Sequence, residues 1–130
     1  MKRKIIFRGK TKRRHRWVYG ALLRIGEDFA IINQNEDDAN YGLPFYVEKD
    51  TIGQFTELHD ANGNRIYEGD IVERYNEYYV VKFSTKRRGY YPFACGDGCG
   101  CCEIETMRPE DVDVIGNIYD DEELVKEHNL

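Results

Sequence analysis

Apolar residues in this chain fall in many short runs separated by glycine, asparagine and proline, a pattern that predicts a succession of short strands. Strands are expected from Lys4 to Arg8, Arg16 to Ile25, Phe29 to Asn33, Pro44 to Glu48 and Thr51 to Leu58. Further strands are expected from Ile66 to Arg74, Tyr78 to Ser84, Tyr90 to Ala94, Glu103 to Met107 and Val112 to Ile118. Turns are marked by Gly9, Gly26, Asn40 to Gly42, Asn62-Gly63, Asn76, Gly89 and Pro109. Only the tail reads as helical. There Asp120 suits an N-cap with Glu123 three residues on, the early acids suit the positive end of the dipole, and Leu124 can dock on the β-structure. The fold class is therefore mainly β, and strands this short and closely spaced suggest a small barrel or sandwich. The stretch Asn33 to Gly42, rich in Asn and Asp, reads as a flexible loop and as a boundary between an N-terminal lobe and a C-terminal one.

The most distinctive segment is Thr51 to Val72, TIGQFTELHDANGNRIYEGDIV. Asp60-Ala61-Asn62-Gly63-Asn64 is a turn with a mechanism, because Asn and Gly accept the positive φ that tight hairpins demand. On its flanks, Ile52, Phe55 and Leu58 and then Ile66, Tyr67, Ile71 and Val72 suit two half-buried strands, with Gly69-Asp70 as a second turn or bulge. Ile66 and Ile71 are expected in the core. Asp60, Asn62 and Asn64 alternate as calcium ligands do, but the glycine comes one residue before the third ligand and the twelfth position is Ile71 in place of a bidentate Glu. Farther on, Tyr78, Val80 and Lys82 are expected to face one way and Tyr79, Val81 and Phe83 the other.

This segment resembles the YopX family of small phage and prophage proteins. Ile6-Phe7-Arg8-Gly9-Lys10 followed by Trp17-Val18-Tyr19-Gly20 is similar to the opening of family members. Val114-Ile115-Gly116-Asn117-Ile118-Tyr119, followed by Asp120, Glu123 and Leu124, is similar to their ending. The resemblance implies an SH3-like barrel after about Thr51, so that residues 1–50 form a small N-terminal β lobe and residues 51–130 the barrel with its C-terminal helix, in one compact unit. It also implies a homo-oligomer, and it brings no biochemical activity with it. The chain departs from the family pattern in the basic segment from Lys10 to Arg16 and in the cysteine run after Phe93.

At 130 residues and 15.3 kDa the chain suits one domain, or two small lobes sharing a core, and is long enough to fold without disulfides. The 10 Tyr and 6 Phe reinforce the preference for sheet. No apolar run approaches a membrane span, and the start Met1 to Arg8 is too short in apolar residues for a secretory signal. A cytoplasmic location with reduced thiols is the expectation. The net charge of −5 conceals a lopsided distribution. From Met1 to Gly26 there are ten Lys or Arg and no acid, whereas from Glu103 onward ten acids meet only Arg108 and Lys126.

Two segments could carry chemistry. Cys95, Cys99, Cys101 and Cys102 could offer four thiolates to zinc, but structural zinc sites usually join two cysteine pairs a dozen or more residues apart, and these lie within eight residues. Incidental thiols and no cofactor are therefore expected; were zinc to bind, these four would be its ligands. The segment Lys10-Thr11-Lys12-Arg13-Arg14-His15-Arg16 should project as a hairpin loop, with Trp17 at its base as a stacking surface. Lys10, Lys12, Arg13, Arg14, Arg16 and Trp17 are the candidate binding residues. An acidic surface of this chain or of a neighbouring copy is the first partner to consider, and nucleic acid is the alternative. Lys86-Arg87-Arg88-Gly89 repeats the basic theme on another turn. Catalysis has little support, since His15, His59 and His128 fall in charged or turn settings and Ser84, the only serine, lacks a nucleophile elbow. A binding or assembly module, not an enzyme, is the expected function.

Overall fold

A computed structural model of the chain describes residues 5–85, 89–93 and 107–130. Among them the backbone is mainly β, with eleven strands and one short α-helix. The chain divides into two compact units, Met1–Phe55 and Thr56–Leu130. No helix of the described residues is long and apolar enough to cross a membrane.

In the first unit β1 (Phe7–Lys10), β2 (Trp17–Ile25), β3 (Asp28–Asn33) and β4 (Pro44–Val47) form an antiparallel meander. The start of β5 (Gly53–His59) pairs with Phe7 and Arg8 on the other edge of β1. β1 lies later than expected because the chain does not turn at Gly9: Arg8, Gly9 and Lys10 all pair with β2, opposite Tyr19, Val18 and Trp17. One face of the meander buries Val18, Ile31 and Val47, against which Phe7, Leu22, Phe29, Phe45 and Ile52 pack.

The sheet curls on itself. β5 takes only the first part of the β1 edge, and β4 returns to the rest of it through a bridge between Thr11 and Val47. The Lys12 amide donates to the Tyr46 carbonyl at 3.0 Å, and the Glu48 amide to the Lys10 carbonyl at 2.8 Å. Two glycines make room for this curvature. A Cβ on Gly9 would lie 3.0 Å from the Cβ of Val47, and one on Gly20 only 1.8 Å from the Ile32 carbonyl oxygen. The connection from residue 34 to 43 joins β3 to β4, neighbours in one sheet, so the boundary expected there does not occur.

In the second unit the end of β5 and β6 (Arg65–Tyr67) flank the Asn-Gly turn. β7 (Asp70–Arg74), β8 (Glu77–Val80), β9 (Lys82–Ser84), β10 (Gly89–Tyr91) and β11 (Asp113–Asn117) follow, ordered β11-β7-β8 in one sheet and β10-β9 in a ribbon. Two of the expected strand segments are interrupted, one beside the turn or bulge expected at Gly69-Asp70 and one where no break was expected. The first breaks at Glu68-Gly69, where Gly69 has a φ of 89° and faces the Tyr119 ring. The second breaks at Val81, which exchanges hydrogen bonds with Gly69 and Asp70 before the chain leaves β7 and pairs with β10. Val80 and Val81 are consequently both buried, against the expected alternation. Ile66, Val72, Val81, Phe93, Met107 and Val112 form the core, and Ile71 is also fully buried. The helix α1 (Glu122–Glu127) begins one residue later than expected, with Asp121 at its N-cap. Asp120 instead accepts from the Asn117 side chain, and the Asp121 carboxylate accepts from the Asn117 amide at 3.0 Å, seated against Gly116.

Asp60 fastens this unit together. Its Oδ1 accepts from the amides of Asn62 and Asn64 at 2.9 and 2.8 Å. Its Oδ2 accepts from the Asn64 side-chain amide at 3.2 Å and from the Val114 amide at 2.9 Å. The turn is thus tied to β11, and the Ala61 amide adds a bond to the Val112 carbonyl. With its lone pairs engaged by N–H donors, this carboxylate is not arranged as a cation ligand. Burial is the largest single influence and works to raise its pKa, but the donors from Val114, Asn64 and Asn62 together hold it below the ordinary value.

Two predictions follow from this packing. Ile66→Ala should destabilise the protein by about 2–4 kcal/mol in denaturant unfolding, as large-to-small core changes do; a loss under about 0.5 kcal/mol, normal for surface sites, would contradict the assignment. Asp60→Ala should cost about 1–3 kcal/mol because it strands several part-buried donors. Since the folded Asp60 titrates below its unfolded value of 3.8, its contribution is complete above that pH and is lost as pH falls through the lowered folded value. Asp60→Asn should therefore flatten the acid limb of the stability curve.

Candidate functional site

The basic segment forms the turn between β1 and β2, and Thr11 is its staple. The Thr11 amide donates to the Arg16 carbonyl at 2.8 Å, its hydroxyl accepts from the Arg16 amide at 3.1 Å, and its carbonyl accepts from the His15 amide at 3.2 Å. Residues 12 to 16 are exposed, and His15 sits in the left-handed region at a φ of 50°. Because Thr11 also bridges Val47, the turn is held against β4.

The six candidates divide into two groups. Lys10 and Trp17 are opposite one another at the base, with the Lys10 ammonium 5.7 Å from the Trp17 ring centroid. The Arg8 guanidinium lies over the same ring at 4.6 Å, so Trp17 is already a partner in a cation–π stack and not a bare surface. Lys12, Arg13, Arg14 and Arg16 lie beyond it. Lys12 makes an exposed salt bridge to Asp28 at 3.2 Å, of the weak class that salt screens. Among the described residues no ion pair involves Arg13, Arg14 or Arg16.

These four cations and Trp17 line a groove of about 660 Å³, whereas Lys10 does not line it. Its other wall comes from β4 and from the loop of residues 34–43. Tyr19, Phe45 and Tyr46 contribute to it, none of which the sequence reading singled out. The period-two alternation of β2 could have paired Tyr19 with Trp17. Tyr46 needs the strand register: Leu23, on the Tyr19 face, is opposite Ala30, which is opposite Tyr46.

The loop wall is a chain of side-chain-to-backbone bonds. Buried Asn33 donates from Nδ2 to Asp38 at 3.0 Å and accepts at Oδ1 from the Asn35 amide at 3.0 Å. Asn35 accepts from the Asp37 amide, and Asp38 from the Asn40 amide. This explains why a stretch read as a flexible loop has a defined course. Asp38 is the groove's one carboxylate among the described residues. The Asn40 amide, and then the Asn33 side chain, hold its pKa below the ordinary value, keeping it ionised at neutral pH.

Cys95, Cys99, Cys101 and Cys102, like residues 86–88, lie outside the described residues. Among the described residues no group of three or more His, Cys, Asp or Glu could hold a metal ion. His128 stacks on Tyr78 at 3.8 Å between ring centroids, and Ser84 pairs opposite Gly89.

A family model described as YopX protein matches residues 6–126 of the chain. No curated protein matches it.

The loop analysis is testable by stability. Asn33→Ala removes a buried amide that organises residues 34–43 and should cost about 1–3 kcal/mol, the range for stranded buried partners. Asp37→Ala, which removes only an exposed side chain, should fall within about 0.5 kcal/mol of the parent. Equal effects in thermal or denaturant unfolding would contradict the hydrogen-bond ladder.

Proposed function

The chain belongs to the YopX family, and from that premise we propose that it is a non-enzymatic binding module whose first unit grips a polyanion in the groove beside Lys12 to Arg16. The observation that carries this reading is the charge of the groove, four cations against the single carboxylate of Asp38 among the described residues. Arginine dominates that set, and its planar guanidinium suits phosphate or carboxylate recognition. We read the second unit as SH3-like, supported by the way the chain changes sheets at Val81, a corner of the kind that small barrels use. The reading places the protein in the cytoplasm as a prophage accessory.

A second reading is homo-oligomeric assembly, with the acidic region from Glu103 onward in one copy seated in the basic groove of another. The charge split along the sequence favours it: ten acids from Glu103 to the end, and ten bases with no acid before Glu27.

The Arg13→Glu, Arg14→Glu double variant separates the two. A module for foreign polyanions binds heparin with a log–log salt slope of about −3, as about four neutralised phosphate-like groups would give. The variant then loses at least about ten-fold in affinity, consistent with the strength of charge-assisted contacts, while its solution mass is unchanged. Assembly instead predicts a smaller particle for the variant and for the parent at high salt. No binding and no change in mass would overturn both readings.

A further inference from the structure

We infer that the polyanion taken by the groove is single-stranded nucleic acid in preference to a duplex; this deepens the binding-module reading and rests on it. Charge alone does not distinguish a single strand from a duplex, since both offer phosphates. The aromatic wall does.

Trp17 and Tyr19 occupy alternate positions of β2 and so share a face, which the pairings of Leu23 with Ala30 and of Ala30 with Tyr46 carry across to β4. Tyr46 is 51% exposed and Tyr19 39%. The half-exposed Tyr46 ring, lining the groove with the arginines, offers a stacking platform to a planar group. A single strand can present the face of each base to such a ring. In a duplex those faces are covered by neighbouring base pairs, and only the backbone would reach the groove.

The arrangement also orders the contacts along a strand. The turn from Lys12 to Arg16 supplies the cations on one wall, and Tyr46, whose carbonyl accepts from the Lys12 amide, is held beside them by the curl of the sheet. Backbone phosphates would lie on the turn and bases on β4. Arg8, itself buried, lies over the Trp17 ring at 4.6 Å. The side-chain amide of Asn40, on the opposite wall, offers a neutral hydrogen-bonding group to a base edge without the repulsion that a further acid would bring.

The experiment uses the full chain and four probes: a twelve-residue oligo-dT, a twelve-residue oligo-U, a twelve-pair DNA duplex and inorganic polyphosphate. Trp17 is the sole tryptophan, so its fluorescence reports on the groove without a label. A single strand of either sugar should bind at least about ten-fold more tightly than the duplex and change the Trp17 emission. Tyr46→Ala should weaken single-strand binding by about five-fold or more, the loss of one stacked base, and leave polyphosphate binding unchanged. Tyr46→Phe, which keeps the ring, should retain single-strand affinity. Equal affinity for duplex and single strand, or equal loss of polyphosphate and single-strand binding in Tyr46→Ala with Tyr46→Phe no different from it, would overturn the preference for single strands while leaving the polyanion reading intact. Failure of all four probes to bind would overturn both.

Discussion

The curl of the first sheet is the constraint on which the proposed site depends. A flat meander would leave the basic turn of residues 12–16 as an isolated hairpin tip in solvent, with its cations screened and its tryptophan at the edge. Because β4 returns to the end of β1 at Thr11 and Val47, the same turn becomes one wall of a groove and the Tyr46 strand another. The bond from Lys12 to Tyr46 is a backbone bond, so it sets this geometry whatever side chains the turn carries. Gly9 and Gly20 matter for the same reason, since a side chain at either would strike Val47 or the Ile32 carbonyl and push the strands apart. The binding residues can therefore vary in charge without loss of the frame.

The second unit is organised by a different device. Its turn is fixed by a buried carboxylate that gathers four N–H groups, two of them from the backbone of the turn and one from β11. The same economy recurs at its other end, where Asn117 Oδ1 accepts from the amides of Tyr119 and Asp120 while its own amide is held by Asp121. Short acidic and amide side chains thus replace longer regular elements in a unit with little helix. The acids at Asp60 and Asp121 serve structure, and do not add freely to the negative surface that the composition suggests.

Much of the fold was legible in local sequence, because local chemistry decides it. The Asn-Gly turn needs positive φ, and Gly63 supplies it at 82°; β2, β3 and β4 follow apolar runs closely enough to be bounded within a residue or so. What was not legible depends on partners distant in the chain. The break at Val81 arises from a change of pairing partner, which no window of sequence records, whereas the turn beside Gly69 was marked locally by the glycine. The N-cap position falls at Asp121 in place of Asp120 and has no side-chain cap bond, since the Asp121 carboxylate turns back to the Asn117 amide and that of Asp120 to the Asn117 side chain. The site was half legible: a cluster of arginines announces itself, whereas Tyr46 joins Trp17 only through the register of three strands, and the Arg8 stack on Trp17 requires that Arg8 stand opposite Tyr19.

The most direct test of the central claim, that the curled first sheet presents a binding groove, is backbone amide NMR of the full chain titrated with a short oligo-dT. Shifts should concentrate at Lys12 to Tyr19, Asn35 to Asn40 and Phe45 to Tyr46, while the Lys12 and Glu48 amides, which bond to the Tyr46 and Lys10 carbonyls, stay protected from exchange. Shifts centred on residues 107–130, or rapid exchange at Lys12 and Glu48 in the free protein, would contradict the account.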